Sequence, residues 1–312
     1  DMTQTVNNPF FQQYNTPFAT PPFNDIKIEH YEPAFDEGIK QLEKEIQEIA
    51  ENEQPATFEN TIVALERSGK LLEKVSSVFF NVLNAEANDE MMDLSQQVSP
   101  KLSESSNNIF LNEKLFARIK NIYGQKEQLS LSTEDAKLLE DTFESFCVRG
   151  ANLSQEDKEK YRKLSSELST LTLTFDQNAL KDKNRYELLL TEEKDLTGLP
   201  ESIREAAAHR AKEKGKDGWL FNLSAPSYIP FMRYSALRPL REAMYRKYMS
   251  IGNKGDEYDN KEIIRRIVNI RLEIARLMGH NTYAEYSLKR TMAKTPTNVY
   301  RLLEQLLKAY KP

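Results

Sequence analysis

The three histidines of the chain are the first candidates for metal binding or acid–base catalysis. They are His30, His209 and His280, and none stands in H-E-x-x-H, the helical motif that binds zinc and supplies a general base. His209 and Glu213 lie four residues apart, which places both side chains on one face of a helix. A stable zinc site needs more ligands than this pair offers, and Arg210 and other basic residues surround it. The sequence therefore predicts an exposed basic helix here and no metal ligand in the chain.

Two close pairs of acidic residues could act as acid and base in catalysis. They are Glu29 with Glu32, and Glu192 with Glu193. The chain has 48 acidic residues, so such pairs are expected on solvated surfaces and at helix caps. Nothing in the sequence places either pair in an apolar pocket that would raise a carboxyl pKa. We predict that none of the four is catalytic.

The single cysteine, Cys147, is the only candidate nucleophile of its kind, and it rules out an internal disulfide. It follows Phe143 and Phe146 in a helical pattern. A reactive thiol needs a lowered pKa and a nearby base, and no histidine lies close to it in the sequence. The pattern predicts a buried, unreactive thiol.

Tyrosines and arginines are concentrated between Trp219 and Tyr248. A short strand is predicted to begin at Trp219. An aromatic-rich turn is predicted between Pro226 and Pro230, and a helix from Pro239. Aromatic residues and arginine recur at binding surfaces, although interior packing is the commoner role of aromatic residues. Packing is therefore the favoured interpretation, and a wall that faces a bound peptide is the alternative; no substrate-binding residue is assigned.

Helical periodicity dominates the chain outside this stretch. An apolar spacing that alternates between four and three residues predicts a helix from Glu32 to Ala50 and another from Phe58 to Asn84. Pro55 interrupts the chain between them, so the two helices should form an antiparallel hairpin. Further helices are predicted over residues 89–123, after N-cap serines at positions 132 and 154, over 200–214 and 260–279, and from position 296 onward.

The predicted fold class is mainly α, with long antiparallel helices and a minor two-stranded β element. The short apolar run Tyr186–Leu190 is predicted to pair with the strand that begins at Trp219. Prolines and phenylalanines alternate over residues 1–24, which predicts an extended N-terminal arm that lies across helices. Residues 25–183 are predicted to form a helical hairpin region. Residues 184–312 are predicted to hold the β element and further helices.

The charge and hydropathy of the chain argue against nucleic acid and a membrane span as partners. The net charge of −5 gives no electrostatic reason to bind nucleic acid, and no run approaches the length and apolar character of a membrane span. Residues 1–25 lack the basic head and apolar segment of a signal peptide, and the chain begins with Asp1. We expect either the mature end of an exported protein, which is slightly favoured, or an artificial boundary. Cytoplasm and periplasm both stay open.

Three stretches, taken in order, resemble a single protein family. They include Asn8-Pro9-Phe10 and Ile28-Glu29-His30-Tyr31-Glu32-Pro33-Ala34-Phe35, then Ala225-Pro226-Ser227-Tyr228 and Leu240-Arg241-Glu242, and finally Thr282-Tyr283-Ala284-Glu285-Tyr286-Ser287-Leu288. These residues are similar to the thimet-oligopeptidase group of zinc metallopeptidases, and in particular to its bacterial peptidyl-dipeptidase (dipeptidyl carboxypeptidase) branch. The resemblance covers the chain from about Asn8 onward.

The resemblance implies one lobe of a two-lobed helical peptidase with a deep channel between the lobes. The catalytic zinc is implied on the C-terminal lobe, with the N-terminal lobe as the opposing wall and short peptides as substrates that lose C-terminal dipeptides. Because H-E-x-x-H is absent here, the chain is interpreted as the non-catalytic N-terminal lobe, inactive alone and free of cofactor. Its expected partner is the missing catalytic lobe. The alternatives are a lobe of an endo-acting oligopeptidase and a stand-alone helical protein-interaction module.

Overall fold

The computed structural model describes residues 7–311, which form a mainly helical protein with one two-stranded antiparallel sheet. The predicted fold class is confirmed. Residues 1–6 of the predicted N-terminal arm and the last residue, Pro312, lie outside the described residues. The described residues up to Thr170 and those from Asn269 onward form a first compact unit, and Leu171–Val268 form a second unit.

The described residues contain thirteen α-helices and two β-strands. The helices are α1 (Ile28–Ala50), α2 (Ala64–Glu66), α3 (Lys70–Glu86), α4 (Asp89–Phe110), α5 (Glu113–Gly124), α6 (Thr133–Val148), α7 (Gln155–Asn184), α8 (Glu201–Glu213), α9 (Ala225–Tyr234), α10 (Arg238–Met249), α11 (Lys261–Leu277), α12 (Tyr283–Leu288) and α13 (Pro296–Tyr310). The strands are β1 (Leu188–Leu190) and β2 (Trp219–Phe221). A π-helical turn, Phe58–Val63, precedes α2. Within residues 7–311, no helix combines the length and the apolar character that a membrane span requires.

The predicted helical hairpin is present in the first unit. Phe35 of α1 packs edge-on against Phe79 of α3, with ring centroids 5.4 Å apart. Ile49, at the other end of α1, packs in one cluster with Ile62, which precedes α3 in the chain. The chain therefore returns along α1 in the opposite direction, and burial of the two facing apolar stripes stabilises the pair.

The helix predicted from Phe58 to Asn84 is wrong as a single element, because the chain turns at Gly69. This residue has a φ of +76°, a left-handed conformation that glycine adopts without strain. Its N–H donates to Oε2 of Glu45 at 2.7 Å, and α3 begins directly after it. Apolar spacing does not reveal the break, because apolar residues on both sides of the turn keep the four–three pattern.

The first helix begins earlier than predicted, at Ile28 rather than Glu32, and contains Pro33. Nδ1 of His30 accepts a hydrogen bond from the N–H of Lys27 at 2.9 Å, which satisfies a backbone donor at the helix start. Proline at position 33 removes one helical hydrogen bond near this end. Burial of the aromatic side chains on either side of the proline offsets that loss.

Both predicted serine N-caps are confirmed. Oγ of Ser132 accepts a hydrogen bond from the N–H of Asp135 at 3.1 Å. Oγ of Ser154 accepts one from the N–H of Asp157 at 3.2 Å. These bonds satisfy backbone donors that the first turns of α6 and α7 would otherwise leave unpaired.

The predicted strand pair is confirmed in the second unit. β1 and β2 are antiparallel, with Leu188 opposite Phe221 and Leu190 opposite Trp219. Gly218, which precedes β2, has a φ of +117°, and a Cβ atom there would lie 2.4 Å from the carbonyl oxygen of Leu190. No side chain fits at this position, so glycine is a requirement of the strand pairing.

The turn predicted between Pro226 and Pro230 is wrong, because both prolines lie in α9. Pro226 occupies the first helical turn, where a missing N–H costs little. Pro230 removes one helical hydrogen bond. Ser227 and Phe231 of the same helix are fully buried, and their packing outweighs that bond.

A buried carboxylate fixes the loop between α10 and α11 onto α7. Asp182 is 1% exposed, and its Oδ2 accepts hydrogen bonds from the N–H of Gly252 at 2.7 Å and Nζ of Lys254 at 2.8 Å. Its Oδ1 accepts one from Nε of Arg185 at 2.8 Å. Burial alone would raise the pKa of Asp182, but these hydrogen bonds and charges outweigh it and hold the pKa below its ordinary value of 3.8.

Replacement of Asp182 by asparagine should destabilise the protein, because it keeps the side-chain shape but removes the charge that Lys254 and Arg185 face. We expect a loss of about 2–4 kcal/mol in the free energy of unfolding, measured by urea denaturation at neutral pH. Asp256→Asn is the matched control, because Asp256 contacts the same arginine from a more exposed position. It should cost less than about 1 kcal/mol.

The same variant tests the lowered pKa of Asp182. Because folding lowers this pKa, the stabilisation is fully present above the ordinary pKa of 3.8 and is lost as the pH falls through the native-state pKa. The difference in unfolding free energy between the wild-type chain and Asp182→Asn should shrink below about pH 4. A difference that grows on acidification would contradict the assignment.

Candidate functional site

The three histidines occupy three different structural settings. His30 caps the start of α1. Nδ1 of His209 lies 3.6 Å from Oε1 of Glu213 on an exposed side of α8. His280 follows α11, with its ring centroid 5.8 Å from that of Tyr286. Among residues 7–311, no group of three or more His, Cys, Asp or Glu side chains is arranged to hold a metal ion, so these residues do not fit a zinc site.

The candidate acid pairs lie on the protein surface. Glu29, Glu32, Glu192 and Glu193 are all exposed. Oε1 of Glu32 lies 3.6 Å from Nζ of Lys101 in a solvated ion pair. Exposed carboxylates of this kind contribute little to stability, and nothing around them prepares them for proton transfer.

Cys147 is half-buried near the end of α6 and lines a cavity of about 230 Å³. Burial raises the pKa of its thiol, even though Nδ2 of Asn152 donates a weak hydrogen bond to Sγ at 3.5 Å. His280 and Lys289 line the same cavity, a proximity that sequence spacing did not reveal. A catalytic thiol requires a lowered pKa, so the environment of Cys147 favours the unreactive protonated form.

Three tyrosines of α9 and α10, Tyr228, Tyr245 and Tyr248, form what we call the tyrosine cluster. The rings of Tyr228 and Tyr248 stack, with centroids 4.1 Å apart and planes 9° apart. Burial and the two neighbouring phenols raise the pKa of Tyr228, which packs against the core of the second unit. Tyr245 and Tyr248 are 50% and 40% exposed. Interior packing therefore accounts for the position of Tyr228, while the exposed rings of Tyr245 and Tyr248 are accessible to a ligand.

Two arginines of the same helices make hydrogen bonds within the second unit. Arg241 donates to the carbonyl oxygen of Ser235, which lies between α9 and α10. Nη2 of Arg246 lies 2.8 Å from Oε1 of Glu242, one helical turn earlier. The Arg241 bond stabilises the junction between α9 and α10, whereas the exposed Arg246–Glu242 pair lies within α10 and contributes little.

The start of α9 is held by Arg210, which the sequence assigned to an exposed basic helix. Its Nε donates to the carbonyl oxygen of Leu220 at 3.0 Å, and Nη2 lies 3.4 Å from Oγ of Ser227. The same Oγ accepts the N–H of Asn222 at 3.0 Å. Burial lowers the pKa of Arg210, so the expected exposure is wrong for this residue, although its neighbour His209 is exposed.

The sequence of the chain is similar to known peptidases along nearly its whole length. The profile described as "Peptidase family M3" matches residues 231–312. Dipeptidyl carboxypeptidase of Escherichia coli (strain K12) is 38% identical over 306 residues, which cover 98% of this chain and 45% of the relative. Oligopeptidase A of Haemophilus influenzae is 33% identical over 94% of this chain and 43% of its own length. Thimet-like oligopeptidase of Dictyostelium discoideum is 24% identical over 91% of this chain and 42% of its own length.

Residues 231–312 thus match peptidase family M3, and the relatives that align with nearly the whole chain are peptidases by name. The family resemblance found in the sequence is thereby confirmed. The chain spans about half the length of the curated relatives that it matches, and it corresponds to their N-terminal part. Family M3 is zinc-dependent, but H-E-x-x-H does not occur in this sequence.

The single thiol of the chain, that of Cys147, should react slowly with iodoacetamide near neutral pH. Because burial raises its pKa above the ordinary value of 9.0, the reactive thiolate is scarce near neutral pH, and the alkylation rate should still be rising at the pH where the rate of the unfolded thiol levels off. Mass spectrometry of timed samples measures this rate. The urea-unfolded chain is the control, since its thiol should level off near the ordinary pKa. A plateau below pH 8 in the folded chain would contradict the expected inertness.

Proposed function

We propose that this chain is the non-catalytic N-terminal lobe of a zinc peptidyl-dipeptidase, an enzyme that removes dipeptides from the C-terminus of short peptides. The observation that supports it most is the 38% identity to a dipeptidyl carboxypeptidase across 98% of the chain. The sequence lacks H-E-x-x-H, so under this proposal the zinc chemistry belongs to polypeptide outside these residues. The role of this lobe is then to shape the substrate channel rather than to carry out bond cleavage.

An endo-acting oligopeptidase lobe is the second candidate. Its support is the 33% identity to oligopeptidase A over 94% of the chain. The two candidates differ in how the longer protein holds the substrate carboxylate, and a blocked C-terminus separates them. A peptidyl-dipeptidase loses activity on a C-terminally amidated peptide, because its substrate must present a free carboxylate, whereas an endopeptidase keeps it.

The tyrosine cluster is the proposed contribution of this lobe to the channel wall. Two accessible phenol rings beside a stacked, half-buried one provide broad apolar contact with hydroxyl groups at the edge. Such a surface binds the backbone and side chains of many peptides without demanding one sequence. That tolerance suits an enzyme that acts on short peptides of varied composition.

The purified 312-residue chain should bind no stoichiometric zinc and should not hydrolyse a short peptide that is blocked at its N-terminus and has a free C-terminal carboxylate. The longer protein, in which the polypeptide continues beyond residue 312, should bind zinc and should hydrolyse the peptide. Zinc is measured by atomic absorption, and cleavage is followed by mass spectrometry of the released fragments. Zinc-dependent cleavage by the chain alone would overturn the proposal. A gene that ends at residue 312 would also overturn it and favour the stand-alone interaction module.

Loss of an exposed ring from the tyrosine cluster should weaken peptide binding in the longer protein. We expect Tyr245→Ala and Tyr248→Ala to raise KM for a short peptide about 2–10-fold with little change in kcat, since one aromatic contact is worth about 0.5–1.5 kcal/mol. Steady-state kinetics measure both constants. Tyr234→Ala is the matched control, because Tyr234 is 43% exposed on α9 but lies outside the cluster. Equal effects of all three substitutions, or none, would contradict the assignment.

A further inference from the structure

The last helix of the described chain carries an apolar surface that none of residues 7–311 covers. In α13, Leu302, Leu303, Leu306, Leu307 and Tyr310 are 56%, 52%, 42%, 53% and 82% exposed, respectively. We call these five residues the C-terminal stripe. At 3.6 residues per turn they share one side of the helix, whereas Arg301, Glu304 and Lys308 lie on the opposite side.

Within residues 7–311, two side-chain hydrogen bonds join the beginning of α13 to the loop that precedes it. Oγ1 of Thr295 accepts the N–H of Asn298 at 3.3 Å, and Nδ2 of Asn298 donates to the carbonyl oxygen of Ala293 at 2.8 Å. The ten residues from 301 to 310 are all exposed. An isolated helix of this length is only marginally stable in water, because most helical stability comes from packing of an apolar face. The C-terminal stripe is therefore as apolar as a buried helix face, although its side chains are exposed in the described chain.

We propose that the C-terminal stripe is the docking surface for the polypeptide that follows residue 312 in the longer M3 protein. This inference rests on the proposed function, because it requires that longer protein to exist. The relatives matched here are more than twice as long as the aligned segment, and the segment is their N-terminal part. The M3 family profile also matches α13 itself, within residues 231–312.

The size of the stripe favours an occupant from the same polypeptide over a second copy of the chain. Stable complexes between separate proteins bury about 800 Å² on each partner, which is the contribution of roughly 20–30 residues. Five side chains on one short helix fall well below that size. A segment tethered next to α13 experiences a high effective concentration, so the same small surface suffices for stable docking within one molecule.

The occupant can be identified by the chemical accessibility of cysteines placed on the two sides of α13. Leu303→Cys introduces a thiol into the stripe, and Arg301→Cys introduces one on the charged side as the matched control. Both positions are exposed in the described chain, so neither substitution should disturb folding. Each is made in a Cys147→Ser background, in the 312-residue chain and in the longer protein. The rate of labelling by a maleimide is then measured at low and high protein concentration.

The cysteine at position 303 should label rapidly in the 312-residue chain and at least about tenfold more slowly in the longer protein. The cysteine at position 301 should label rapidly in both. Equal rates at position 303 in the two proteins would overturn the inference. Slow labelling at position 303 in the 312-residue chain, relieved by dilution, would also overturn it, because the occupant would then be a second copy.

The labelling result is independent of catalysis. A longer protein that protects position 303 but cleaves no peptide would leave the docking surface standing and remove the proposed peptidase function. A longer protein that cleaves peptides but leaves position 303 unprotected would support the proposed peptidase function and remove the docking surface. A gene without coding sequence beyond residue 312 would remove both.

Discussion

Burial of one apolar helix face against another is the interaction on which this structure depends. Phe35 and Phe79 show it in the first unit, where two long helices can be stable only because their aromatic stripes exclude water together. The second unit applies the same constraint to shorter elements, with Phe221 and Phe231 in edge contact at 4.9 Å. Buried polar side chains such as Asp182 and Arg210 make this packing specific, because their hydrogen bonds can form in only one arrangement of the elements.

Local sequence rules predicted the features of the fold whose causes are local. Serine caps at positions 132 and 154 depend on atoms three residues apart, so the sequence shows them directly. The strand pair was also predictable, since two short apolar runs with polar flanks have few other ways to satisfy their backbone groups. These features need no knowledge of the distant chain.

Features that depend on distant contacts escaped prediction. The helix α9 tolerates Pro230 because Ser227 and Phe231 are buried, and that burial comes from residues outside the helix. Arg210 was assigned to the surface, although Ala207 and Ala211, both fully buried, mark the inner face of α8 beside it. That small-residue spacing was the available signal. The proximity of His280 to Cys147 had no signal in the sequence, because only the tertiary fold brings α6 and the end of α11 together in the first unit.

The single half-buried thiol also makes the chain convenient for distance measurement by fluorescence. Because Cys147 is shielded and is the only cysteine, dyes can be directed to cysteines introduced on the surface, with little competition from the native side chain. Exposed positions are available in each compact unit, for example Glu48 in the first and Glu257 in the second. A donor and acceptor pair at such sites would report how the two units are arranged in solution.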